Sequence, residues 1–152
     1  KAEEMTEEEW DKVVDLNLKG LFLCNQAAGK IMIEQQSGAI VNVASMSGSI
    51  ANRPQSQVGY NSSKAGVMQL TKSLAVEWAQ HNVRVNSISP GYTLSELTKQ
   101  FSQYFEWWLP YIPMGRMAEP EELVGAVVYL ASDAASYTTG HDLVIDGGYT
   151  SW

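Results

Sequence analysis

Two short apolar runs, Ala39–Ala44 and Val83–Ser89, each follow a long segment with helical periodicity, and a third, Leu143–Ile145, follows another. The repeated order of helix then strand, with short connections, admits few topologies. It requires parallel strands joined by right-handed crossovers, with helices covering the sheet. The first run is mostly apolar rather than alternating, as suits a strand buried on both faces. No internal repeat, low-complexity tract or interdomain linker interrupts the order, so the chain reads as one α/β unit.

The helices announce their own ends. Thr6-Glu7-Glu8-Glu9 is a capping box with three carboxylates at the positive end of the dipole. From there Trp10, Val13, Val14, Leu21, Cys24, Ala28, Ile31 and Met32 recur at three-and-four spacing, predicting one helix of about 30 residues closed by Ser37-Gly38. Asn17 falls on that stripe. A buried amide needs partners, so it either braces a neighbouring carbonyl or holds a water. A second helix is predicted from Val58 to Gln80, with Val67, Leu70, Thr71, Leu74, Ala75 and Trp78 inward and His81-Asn82 at its end. Pro90-Gly91 must turn the chain out of the second strand. Pro120, among Glu119, Glu121 and Glu122, opens a third helix whose packed face is expected at Leu123, Val124, Val127, Val128 and Leu130. Asp146-Gly147-Gly148 turns out of the last strand.

Composition narrows the partners. With 10 basic against 17 acidic residues the net charge is -7, which argues against nucleic acid or an anionic membrane and for a small molecule. No run of apolar residues is long enough to span a bilayer, and no segment reads as a targeting signal. Cys24 has no second cysteine to pair with and reads as core packing in a reducing compartment. His81 and His141 lack ligands at metal spacing, so no metal site is expected. The chain starts at Lys1 without an initiator methionine and runs straight into helix signals, as the middle of a longer protein would.

Chemistry gathers at the carboxyl edges of the predicted strands, where open α/β sheets bind ligands. Ser45-Met46-Ser47-Gly48-Ser49 follows the first strand directly. Tyr60 and Lys64 stand one helical turn apart, so their side chains share a face. A free tyrosine, with pKa about 10, carries protons poorly at neutral pH. Bringing one near 7 takes about 4 kcal/mol of differential stabilisation of the phenolate, which a fixed ammonium in a partly dry cleft can supply. Between Leu94 and Pro113, Phe101, Tyr104, Phe105, Trp107, Trp108 and Tyr111 form an aromatic concentration that suits either a lid over a cleft or burial against the body or a partner.

Asn17, the serine loop, Tyr60-Asn61-Ser62-Ser63-Lys64, Arg84 to Gly91 and Asp146-Gly147-Gly148, in that order, make the chain resemble the short-chain dehydrogenase/reductase family over essentially all 152 residues. Asn52-Arg53-Pro54-Gln55 and Ser89-Pro90-Gly91-Tyr92 place the resemblance nearest the polyol, ketose and carbonyl reductase branch. It implies the carboxyl-terminal portion of a Rossmann-like doubly wound parallel sheet, three strands and their helices. Residues 1–152 would be the catalytic part of one dinucleotide-binding domain. The Gly-rich turn, the residue that reads the adenosine ribose and an Asn-Ala-Gly segment would lie before residue 1, and the first strand would have an open edge. The activity implied is an NAD- or NADP-dependent interconversion of a secondary alcohol, a polyol or similar, and a ketone, in a cytoplasmic dimer or tetramer.

Residue by residue, the resemblance makes Tyr60 the general acid and base. Lys64 lowers the pKa of Tyr60 and binds the nicotinamide ribose, and Asn17 anchors a water that passes the proton on. Ser45, favoured over Ser47 because it follows the strand immediately, would hold the reacting oxygen. Pro90, Gly91, the backbone of Thr93 and the Ser95 side chain would border the nicotinamide. Met46, Ser47, Tyr92 and the aromatic stretch would shape the substrate pocket. The competing readings are a catalytically silent association module built on the two long helices and, more distantly, a serine hydrolase, for which no nucleophile elbow is present.

Overall fold

The computed structural model describes residues 1–152. Three parallel strands, β1 (Gly38–Val43), β2 (Val83–Pro90) and β3 (Asp142–Ile145), lie in that order. Gly38 pairs with Val83 and Val43 with Ile88, while Ser87 to Pro90 pair with Asp142 to Ile145. β1 is therefore an edge, and Val43 on it is 52% exposed.

The predicted 30-residue helix exists in three pieces: α1 (Glu7–Val14), a π-helical segment Asp15–Gly20, and α2 (Leu21–Gln35). The Thr6–Glu9 capping box forms as expected, with Glu9 N donating to Thr6 Oγ1 at 3.2 Å. The helix ends one residue earlier than Ser37-Gly38, at Gln36 in the left-handed region. The π segment corrects the stripe as well. Relative to an α-helix it takes up extra chain, so every later residue rotates by about 100°. The buried residues of α2 become Asn25 and Gly29, each one place beyond the expected Cys24 and Ala28. Cys24 is exposed, not core, and Ile31 is exposed with it.

α3 (Val58–Trp78) buries Val67, Thr71, Leu74 and Ala75 as predicted and packs with α2 on one face of the sheet. Leu74, Ala75, Val83 and Val85 form the core there, flanked by Met32, Ile33, Ile40, Leu70 and Trp78. That face also carries a buried polar chain: Asn25 Nδ2 donates to Asn42 Oδ1 at 2.9 Å, and Asn42 Nδ2 donates to Thr71 Oγ1 at 3.0 Å. Alternation sends Arg84 to the other face. Its guanidinium donates to Leu130 O and Ser132 O at 2.8 and 3.0 Å, closing the carboxyl end of α6 (Val124–Ala131).

α6 departs from its expected face. Leu130 is buried, but Val124, Val127 and Val128 are 55, 38 and 59% exposed. The helix rests on β1 and β2, and its other apolar side has nothing against it in this chain. The polar residues of β2 have structural employment. Asn86 Nδ2 donates to Thr138 O while its Oδ1 accepts from His141 N, and Ser87 and Ser89 both donate to Asp142 Oδ1. No helix is long and apolar enough to cross a membrane.

Candidate active site

The carboxyl ends of β1 and β2 open into one cavity of about 550 Å³, within the range of small-molecule sites. Ser45 leaves β1 in extended conformation, and its Oγ accepts from Ser47 N at 3.1 Å. The chain then winds through a single 3-10 turn, Met46–Gly48, that keeps Ser45, Met46 and Ser47 buried. This turn sits directly on α3. A Cβ at Gly48 would lie 2.8 Å from Lys64 C and 2.9 Å from Ala65 N, so only glycine permits the approach.

α3 presents Tyr60 in its first turn and Lys64 in its second. The Lys64 ammonium stands 5.7 Å from the centroid of the Tyr60 ring and donates to Val43 O, at the last residue of β1, at 2.9 Å. Burial holds the Lys64 pKa below its ordinary 10.5. Asn17, half-buried in the π segment, is not in the cavity wall. It reaches the site from behind: its Nδ2 donates to Ser63 Oγ at 3.1 Å, and Ser63 Oγ donates to Tyr60 O at 2.7 Å.

The opposite wall comes from the turn after β2. Gly91 N donates to Ile145 O at 2.8 Å, and a Cβ there would meet Asp146 Cα at 2.7 Å. Asp146 is itself fixed, accepting from Gly148 N, Thr150 N and Thr150 Oγ1. Gly91→Ala should therefore cost about 1–3 kcal/mol of stability, because the Asp146 backbone it would meet is anchored. Denaturant unfolding checks this, and a loss under about 0.5 kcal/mol would contradict the close approach. Beyond Gly91, Thr93 Oγ1 donates to Gly91 O, and Ser95 caps the short helix α4 (Glu96–Lys99) by accepting from Thr98 N at 3.2 Å.

Ser45, Met46, Ser47, Tyr60, Lys64, Pro90, Gly91, Tyr92, Thr93 and Ser95 all line this one cavity; Asn17 does not, nor do Tyr104, Phe105, Trp107 and Tyr111 of the aromatic stretch. The aromatic stretch divides. Trp108, in α5 (Phe105–Trp108), is buried with Ile112 and Met117, flanked by Tyr92, Tyr104, Phe105 and Tyr149. Trp108 and Phe101 also line the cavity, whereas Trp107 and Tyr111 are exposed. Burial first, and then the neighbouring Tyr92 phenol, push Tyr149 up to about 12, so this second phenol stays a protonated packing group. Sequence reasoning gave no role to Gln57 or to the side chains of Asn52 and Gln55, all three in the wall. The available signal was three amides among the six residues 52–57, in the loop ahead of α3.

His81 pairs with Gln36 Nε2 at 3.1 Å, and His141 is exposed. No group of three His, Cys, Asp or Glu side chains is placed to hold a metal.

Residues 1–150 match the family model described as "Enoyl-(Acyl carrier protein) reductase". The chain belongs to the short-chain dehydrogenase/reductase family. It is 49% identical over 146 residues to galactitol 2-dehydrogenase (L-tagatose-forming) of Cereibacter sphaeroides, covering 94% of this chain and 58% of that protein. It is also 49% identical over 149 residues to the NADH-dependent L-xylulose reductase of Ambrosiozyma monospora, covering 93% of this chain and 55% of that protein. The crystal structure of a short-chain type dehydrogenase/reductase from Mycobacterium marinum superposes with TM-score 0.95 at 52% identity, over 97% of this chain and 58% of that one. The chain thus spans under two thirds of the length of these relatives, and its sheet is the three-strand portion of a Rossmann-like fold.

Proposed function

We propose that residues 1–152 form the carboxyl-terminal, catalytic part of a single dinucleotide-binding oxidoreductase domain, and that the protein interconverts a secondary alcohol, a polyol or similar, and its ketone with NAD or NADP. The observation that carries the reading is the convergence of Ser45, Tyr60 and Lys64 with the Pro90–Ser95 turn on one cavity at the carboxyl edge of a parallel sheet.

The wall fits the nicotinamide end of such a cofactor: one cation, the Thr93 and Ser95 hydroxyls, and apolar surface from Val43, Ala44 and Leu123. When bound, the nicotinamide supplies or accepts the hydride. The protein's part is positioning and proton handling. Tyr60 gives its phenol proton to the reacting oxygen in reduction and takes it back in oxidation. Ser45 donates a hydrogen bond to that oxygen, stabilising charge as it develops. Lys64 places an ammonium beside the phenol and binds the ribose. Asn17 braces the turn of α3 that carries Tyr60 through Ser63 and anchors the water that returns the proton to solvent. Pro90, Gly91, Thr93 and Ser95 border the nicotinamide, and Met46, Ser47 and Tyr92 face the substrate.

Lys64 shows its employment as a cost. Its folded pKa lies below the unfolded value, so the folded state binds its proton less tightly. Stability therefore rises with pH through the interval ending near 10.5, and below that interval the desolvation penalty stands in full. Lys64→Met at pH 7 should leave the melting temperature unchanged or raise it while lowering turnover by at least about 100-fold. A clearly lower melting temperature would make the lysine a structural residue.

Sugar alcohols and ketoses assayed with NAD and NADP by absorbance of the reduced nicotinamide test the reaction class directly. Turnover of none of them would refute it. A second reading has its own observation: Leu16, Leu23, Ile31 and Val76 expose apolar surface, 75, 53, 58 and 81% respectively, on the long helices. They suit helix pairing between copies in a dimer or tetramer, and a catalytically silent association module would keep them. Enhanced fluorescence of reduced nicotinamide on binding separates the two, since a silent module gives none. Cys24 has no second cysteine within residues 1–152 to pair with, in keeping with the cytoplasm as the compartment.

A further inference from the structure

Part of the cavity wall is a connected amide network with no charge in it. Gln57 Nε2 donates to Asn52 Oδ1 and to Asn61 Oδ1, each at 2.8 Å, which uses both of its hydrogens and leaves Ser47 Oγ at 3.4 Å as a longer third neighbour. Asn52 Nδ2 and Gln55 Nε2 both donate to Tyr92 Oη, at 3.2 and 3.3 Å. Gln55 Oε1 accepts from Trp108 Nε1 at 3.1 Å, and the Trp108 ring lies flat on Tyr92 with centroids 4.1 Å apart. Each link fixes the orientation of the next amide. Left uncommitted are the Gln57 Oε1 acceptor and one N–H on each of Asn52 and Gln55.

The charge census of the cavity is equally specific. No carboxylate and no guanidinium lines it, and its one ionised group, Lys64, is tied to Val43 O beside Tyr60. Mixed donors and acceptors without charge match hydroxyl groups, which both give and take hydrogen bonds. A carboxylate brought against them would be desolvated with no cation to meet it.

Resting on the oxidoreductase reading above, we propose that Asn52, Gln55 and Gln57, held in register by Tyr92 and Trp108, form a specificity subsite that binds the hydroxyls flanking the reacting carbon of a neutral open-chain polyol and rejects the carboxylate of the corresponding sugar acid. The network is built before substrate arrives, so its selectivity follows from atoms already oriented.

The test measures kcat/KM in the intact protein for three classes of alcohol: neutral alditols (galactitol, mannitol, arabinitol), the aldonates derived from them, and 2-butanol, which has no flanking hydroxyl. The best alditol should exceed its aldonate by at least about 100-fold in the wild type. Gln57→Leu and Asn52→Leu should each lower the ratio of alditol to 2-butanol by on the order of tenfold. The wild-type comparison stands even if a variant fails to fold, and thermal melts identify such a variant. Aldonate turned over as well as alditol, or ratios unmoved within about twofold in folded variants, overturns the subsite while leaving the oxidoreductase intact. No turnover of any of the three overturns both.

Discussion

Tyr60→Phe should lower kcat for alcohol oxidation by about 1,000-fold while the dissociation constant of the nicotinamide changes by less than about threefold. The substitution removes one oxygen and keeps the ring that Lys64 faces at 5.7 Å, so packing at the head of α3 survives. The loss then reads on proton transfer alone. General acid-base groups typically contribute 10²–10⁴-fold, and about a thousandfold sits inside that range. Stopped-flow rates with saturating alcohol measure it, alongside nicotinamide fluorescence for binding. Retention of more than about a tenth of the activity would remove Tyr60 from the role of acid and base.

Gly48→Ala should also have a large effect, and of a different kind, because it takes stability and turnover together. A Cβ at this position has Met68 Sδ at 2.7 Å, which can move, and Lys64 C and Ala65 N at 2.8 and 2.9 Å, which cannot move without the helix. The added methyl pushes the Ser45–Ser47 turn and the Tyr60–Lys64 turn apart. We expect about 1–3 kcal/mol of lost stability and a fall in kcat of on the order of 100-fold, since a displacement near 1 Å at a positioned group costs that much. Unfolding by urea and steady-state rates at a temperature where the variant is folded separate the two losses. Full activity in a folded variant would mean that the serine turn does not need its present distance from α3.

The strands and the site were legible in sequence for one reason: backbone constraint puts both at the same places. Strands end where Pro90-Gly91 and the serine loop stop them, and the cavity lies at those ends. The Tyr60–Lys64 face needed only helical spacing. The phase of α2 was not legible. A stripe extrapolated through the π segment at 3.6 residues per turn put Cys24 inside and Asn25 outside, the reverse of what folds. Its polar core also defeats pattern reading, because Asn25, Asn42 and Thr71 satisfy one another only once α2, β1 and α3 are assembled. The exposed Val124, Val127 and Val128 follow from the same limit: periodicity identifies an apolar face but not whether anything in this chain covers it. Gln57 was missed because an amide acquires a role only from its partners, and those lie in the serine turn, the next loop and α3.

A crystal structure of the intact protein with bound nicotinamide and an unreactive ketone analogue shows whether Tyr60 and Ser45 meet at one oxygen. The carbonyl oxygen should lie within about 3 Å of both Tyr60 Oη and Ser45 Oγ, with the Lys64 ammonium between the phenol and the ribose. A carbonyl oxygen remote from Tyr60 Oη, or a Tyr60 hydroxyl facing bulk water with Lys64 turned from it, would contradict that arrangement.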